Sequence, residues 1–223
     1  MNIIVKPVSA TVTADWLVPA ALIALAFIPL AAGAFRVTTL VGGVPVTADN
    51  LRFVTSQIPV LLHIASVTIY SLLGAFQFSA GLRRRWPGWH RAAGRILFGA
   101  GLVAALSGLW MASFYAIVPA DSPLLHALRL FFGAAMAVSL VLGLLAIRRR
   151  NIGQHQAWMR RAYAIGLGAG TQALILIVPE VLFGKPDPDR LALLMGAAWV
   201  INLVVAEWLI RRPSRPRSRE VSA

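Results

Sequence analysis

Four histidines and two arginine runs stand out in this chain because together they repeat. Arg83-Arg84-Arg85 is followed by His90 and Arg95, and Arg148-Arg149-Arg150 is followed by His155 and Arg160. Each member of the second set lies 65 positions after its counterpart, as 155 does after 90. One more histidine precedes each set inside an apolar run, His63 before the first and His126 before the second, and these four are all the histidines of the chain. Imidazole offers a nitrogen lone pair to a metal near neutral pH. Histidines paired from facing helices of a bundle hold a b-type haem by both axial positions. Guanidinium groups beside such a pair suit the haem propionates through charge-assisted hydrogen bonds. Arg95 and Arg160, with Arg91 and Arg161, are the candidates for that role. The chemistry implied is one-electron transfer at one or two haems b, with His63 and His126 around one and His90 and His155 around the other.

The composition says what medium must surround this chemistry. Of 223 residues, 58% are hydrophobic and 13% charged, about half the roughly 25% charge of a soluble domain. Mean hydropathy is +0.74. A polytopic membrane protein follows. The net charge of +13 raises nucleic acid as a partner. The arginines nevertheless cluster between and after apolar runs, which is the pattern of cytoplasmic loops and argues for no nucleic acid. No cysteine is present, so disulfides, thiolate catalysis and Cys-ligated zinc or iron–sulfur sites are excluded. Soluble catalysis has no motif to rest on: there is no G-x-S-x-G, no H-E-x-x-H and no phosphate-binding Gly-Lys loop. The N-terminus does not read as a cleavable signal, having only Lys6 before the first apolar run.

Six apolar runs are long enough to cross a bilayer at about 20 residues each. They fall at about 16–35, 53–80, 90–118, 124–147, 157–182 and 190–210. The fold expected is all-α, with six transmembrane helices and a four-helix core of helices two to five built from two duplicated hairpins. Residues 1–212 form one transmembrane domain, with a polar, disordered or interfacial stretch at 1–15. Residues 213–223 form a disordered, basic cytoplasmic tail. A turn is expected at Pro119-Ala120-Asp121-Ser122-Pro123. The second-to-third loop, the fourth-to-fifth loop and the tail carry most arginines, which places both termini in the cytoplasm. The two hairpins then share one orientation, with a pseudo-twofold axis along the membrane normal.

Each feature also has a structural explanation. The arginine runs serve as orientation signals and as contacts for anionic lipids at the inner face of the lipid bilayer. Arg129 and Glu207 snorkel to an interface, Glu180 is interfacial, Gln77 and Gln172 are interhelical glue, and the glycines let helices approach closely. His90 and His155 open their helices and suit an interfacial position. His63 lies about ten residues into its run and His126 about three, a depth difference of roughly 10 Å at 1.5 Å per residue, which counts against their pairing. The alternatives to haem are a non-redox protein that binds anionic lipid or a partner protein, and a small-solute or proton pathway lined by the histidines and Gln77. The sequence names no redox partner.

His63 with Gly74-Ala75-Phe76-Gln77-Phe78, then His90-Arg91-Ala92-Ala93-Gly94-Arg95, then His155-Gln156-Ala157-Trp158-Met159-Arg160-Arg161 resemble the bacterial predicted membrane proteins catalogued as domain of unknown function 2306. The resemblance runs from the second span to the fifth or sixth. It implies a multipass protein of the bacterial inner membrane and no established reaction. The six-helix plan with histidines on helices two to five is also similar to the b561 class of di-haem transmembrane cytochromes. That similarity implies pairing of the second helix with the fourth and of the third with the fifth.

Overall fold

The computed structural model describes residues 10–43, 45–47, 50–118 and 122–212. The expected tail and most of the expected turn at 119–123 lie outside the described residues, as does most of the polar stretch at 1–15, although helix has already begun by Ala10. Among the described residues there is no strand. The helices are α1 (Ala10–Val41), α2 (Leu51–Thr55), α3 (Gln57–Ala75), α4 (Ala80–Arg85), α5 (Pro87–Phe114), α6 (Pro123–Arg148), α7 (Ile152–Gly166), α8 (Gly168–Phe183) and α9 (Pro188–Arg211), with a 3₁₀ turn at Phe76–Phe78. Six stretches are long and apolar enough to cross a membrane: Asp15–Val41, Gln57–Phe78, Pro87–Phe114, Pro123–Arg148, Ile152–Phe183 and Pro188–Arg211. Large apolar side chains such as Phe27, Phe35, Val181 and Val204 stand exposed around the outside. A surface of that kind is solvated by lipid tails rather than by water.

The helix starts have local causes. Proline occupies the first position of α5, α6 and α9, where its missing N–H is not needed. Side chains cap several N-termini: Ser79 accepts from Leu82 N–H at 3.1 Å, Asn151 from Gln154 N–H at 3.0 Å and Asp187 from Arg190 N–H at 2.9 Å. Two interruptions divide stretches that the apolar length alone joins. Ser56, with φ −139° and ψ 81°, separates α2 from α3, so the second span begins at Gln57 rather than near Phe53. Leu167 separates α7 from α8 inside the fifth span.

The helix contacts run from α3 to α5, from α5 to α6 and from α6 to α7, and close between α7 and α3. α3 and α6 therefore stand at opposite corners of the four-helix core, as do α5 and α7. Above Leu167 the fifth span leaves this ring, because α8 packs on α9 and α1. Gly170 makes this possible, since a Cβ there would stand 2.3 Å from the backbone oxygen of Leu25 on α1. Asn202 on α9 donates to the carbonyl of Ala164, and Thr171 donates to Asn202 Oδ1 at 2.8 Å. Such side-chain bonds satisfy polar groups around an interrupted helix that water cannot reach. Gln172, buried, donates to the Met195 carbonyl at 3.2 Å, acting as the interhelical glue expected of it.

A layer of aromatic rings fills the middle of the core. Tyr70 lies 5.6 Å from Tyr163 by ring centres, and Tyr163 lies 4.9 Å from Phe78. Tyr70 fits because Gly101 on α5 and Gly166 on α7 have no side chain, where a Cβ would meet its ring at 2.7 and 2.9 Å. Tyr163 closes the layer by donating its hydroxyl to the Ser71 carbonyl at 2.8 Å.

Candidate functional site

The four histidines occupy two levels, one on each side of the aromatic layer. His90, His126 and His155 are each the fourth residue of their helices, and His63 is the seventh of α3. Counted from the helix starts, His63 and His126 differ by three residues, or about 4.5 Å at 1.5 Å rise. The break at Ser56 thus removes more than half of the depth difference expected from the apolar runs.

At the end away from the arginine runs, the His63 ring packs on α5. Its Nδ1 lies 3.0 Å from the Ala104 carbonyl and 3.1 Å from Ser107 Oγ. A carbonyl can only accept, so Nδ1 carries the hydrogen and the neutral ring keeps its lone pair on Nε2. Gly108 gives the ring room, as a Cβ there would stand 3.3 Å from its Cε1. The same geometry recurs at the other end. His155 Nδ1 donates to the Gly143 carbonyl on α6 at 2.9 Å, which again leaves Nε2 bare. Metal-ligating histidines are held in this way, with the second ring nitrogen fixed by a carbonyl or carboxylate.

The contact of His63 with Ala104 and Ser107 gives the spacing of the levels. Along α5, His90 is 14 residues from Ala104 and 17 from Ser107, or about 21 to 26 Å. On the second hairpin, His126 lies 17 residues from Gly143, a similar separation.

The two levels differ in what surrounds the rings. His63 lines a cavity of about 450 Å³, within the roughly 300–1,000 Å³ of ligand pockets. Tyr70, Phe132, Met136 and Trp199 give it apolar walls, and Arg52, Arg129 and Gln172 add polar groups. Trp199 stacks on Phe132 with ring centres 4.7 Å apart. Arg129, expected to snorkel to an interface, lies on the wall of this cavity. His126, three residues before it, is not among the lining residues.

At the arginine-rich end, His90 and His155 approach from opposite corners of the core, close enough for their charges to interact, and Arg83 is within the same reach of His90. The Nδ1 of His90 is buried and without a hydrogen-bond partner, as is Nε2 of Gln77. Of the arginines expected to flank this site, Arg91 is within electrostatic reach of His90. Arg95 is exposed, and Arg160 donates to the Leu209 carbonyl at 3.2 Å. Glu207 does not stand alone at an interface: Arg161 donates to both of its carboxylate oxygens, with the Nη2–Oε2 bond at 3.1 Å. Arg161 also lies 4.5 Å above the Trp158 ring. The signal missed in the sequence was the first arginine of the first run. Arg83 is half-buried and donates to the Gln77 carbonyl at 3.3 Å.

At the arginine-rich end one imidazole is held by a carbonyl through Nδ1, and the other has a buried Nδ1 with no hydrogen-bond partner. At the far end one held imidazole faces a cavity. No cluster of three or more His, Asp or Glu suited to a bare metal ion occurs among the described residues.

Over residues 60–210 the chain matches the model of a family described as "Predicted membrane protein", domain of unknown function 2306. No curated protein and no solved structure matches it.

Proposed function

The chain belongs to this family of predicted membrane proteins, and we propose that it carries electrons through the bilayer on haem b held by its histidines. The observation that carries the reading is the shared geometry of His63 and His155, each with Nδ1 bound by a backbone carbonyl of the neighbouring helix and Nε2 left as a ligand. Haem b supplies a one-electron couple when bound. His90 and His155 hold it at the arginine-rich end from opposite corners of the core. The Gly143 carbonyl fixes the ring of His155. His63 offers a ligand at the far end, where His126, its expected partner on α6, does not line the cavity. Apolar walls border the ring of His63. The arginine runs set that end in the cytoplasm of a bacterial inner membrane and attract anionic lipids.

The test is the absorption spectrum of the purified chain. A Soret band that shifts on dithionite reduction and is lost in the His155→Ala variant supports the reading. Colourless protein from haem-sufficient cells overturns it. A second reading is favoured by the cavity of about 450 Å³ at His63, which is also the size of a small-solute site. In that case His63→Ala abolishes solute binding or flux while the chain stays colourless.

A further inference from the structure

The first arginine run is not uniform. Arg84 and Arg85 are exposed while Arg83 is half-buried, and in the second run Arg148, Arg149 and Arg150 are all exposed. An orientation signal needs only charge outside the hydrocarbon and does not require a guanidinium tucked beside an imidazole. Arg83 donates Nη1 to the Gln77 carbonyl and lies within electrostatic reach of His90. Among the described residues it has no ion-pair partner. The edge-to-face contact of Phe76 with Trp89, ring centres 6.5 Å apart, holds residues 76–77 beside residues 89–90. Gln77 and His90 are therefore brought to the same guanidinium, and each has a buried nitrogen with no partner. A buried polar atom left unsatisfied costs about 1–3 kcal/mol, and folded proteins rarely keep two together unless a bound group completes them.

The cluster is cationic and rich in donors: a guanidinium, a carboxamide NH₂ and an imidazole N–H. We propose that Arg83, Gln77 and His90 bind an oxyanion, a carboxylate or phosphate oxygen, at the arginine-rich end of the core. The idea builds on the haem reading. His63 and His155 have their Nδ1 hydrogens fixed by protein carbonyls, and His90 has none, so the anion takes that place and leaves Nε2 of His90 for the metal. The oxyanion has two sources. One is a carboxylate of the haem itself, and the other is the phosphate of an anionic lipid.

The experiment compares Arg83→Gln and Gln77→Glu with an Arg84→Gln/Arg85→Gln control, using the full chain purified in detergent. Gln77→Glu keeps Arg83 paired and so guards against simple misfolding, but it places a carboxylate where the anion sits. The first arm is potentiometric titration of the haem absorbance. If the anion is a haem carboxylate, Arg83→Gln lowers the midpoint potential of the arginine-end component, because a positive charge near the added electron is lost, and the control leaves it in place. The second arm is native mass spectrometry after exchange into mixed phosphatidylglycerol and phosphatidylcholine micelles. If the anion is a lipid phosphate, both site variants retain phosphatidylglycerol about tenfold less than wild type, the size of one lost charge-assisted bond. A response in either arm that the control lacks supports the site and names its source. Site variants that match the control in both arms overturn it. Colourless wild-type protein removes the haem reading alone, and the lipid arm then decides.

Discussion

His63 and His155 are held in the same way and stand in different surroundings. Each gives its Nδ1 hydrogen to a carbonyl of the other helix of its own hairpin. At the far end, His63 borders an open space walled by Tyr70, Phe132 and Trp199. At the arginine-rich end, His155 and Arg83 are each within electrostatic reach of His90, and Arg83 donates to the Gln77 carbonyl. The difference follows from the fifth span. Below Leu167 it belongs to the core as α7, and above it α8 moves off to α1 and α9. The lower level brings two imidazoles within electrostatic reach of each other. The upper level has one ring and room for a guest.

The comparison breaks most sharply at the histidines. His155→Ala removes the arginine-end haem component and leaves the far-end one, and His63→Ala does the reverse, as read by difference spectra and redox titration. If both variants lose the same component, the two levels are not separate sites. Next in size is Gly170→Ala. Its new Cβ would meet the backbone oxygen of Leu25 at 2.3 Å, so α1 must shift, at a cost of about 1–3 kcal/mol. A lower melting temperature in detergent, with the far-end component disturbed and the arginine-end component intact, is expected.

A smaller effect is expected from Glu207→Gln, which removes the partner of Arg161 and Arg211. These side chains are about a quarter or more exposed, so the loss is about 1 kcal/mol or less and shrinks as salt is added. Neither haem component should move. Smallest is Arg150→Gly. Arg150 holds φ 59° just past the end of α6, a left-handed position at which glycine is usual. Relief of that conformation is worth a few tenths of a kcal/mol to about 1 kcal/mol, and thermal melts should show no loss of stability.

The six spans were legible because apolar length is a property of sequence alone. So were the two histidine levels, since helical rise turns residue counts into depth. What escaped the sequence was rotation and interruption. Thr55-Ser56-Gln57 is a polar run of only three residues, which hydropathy summed over a span averages away, so the second span was set to begin near Phe53. Gly166, Gly168 and Gly170 read as packing residues, and they are, but the residue between the first two is where the span divides. Arg83 looked like its neighbours because a triplet says nothing about which member a six-residue helix turns inward. Arg129 looked interfacial from its place in the first turns of α6, and only the tertiary packing puts it on the cavity wall.

The interruption at Leu167 means that the two hairpins do not match along their whole length. With α7 in the core and α8 packed on α1 and α9, the walls of the far half come from α1 and α9 as well as from the duplicated hairpins. A substitution on those outer helices can reshape the space beside His63 while leaving the arginine-rich half of the core untouched.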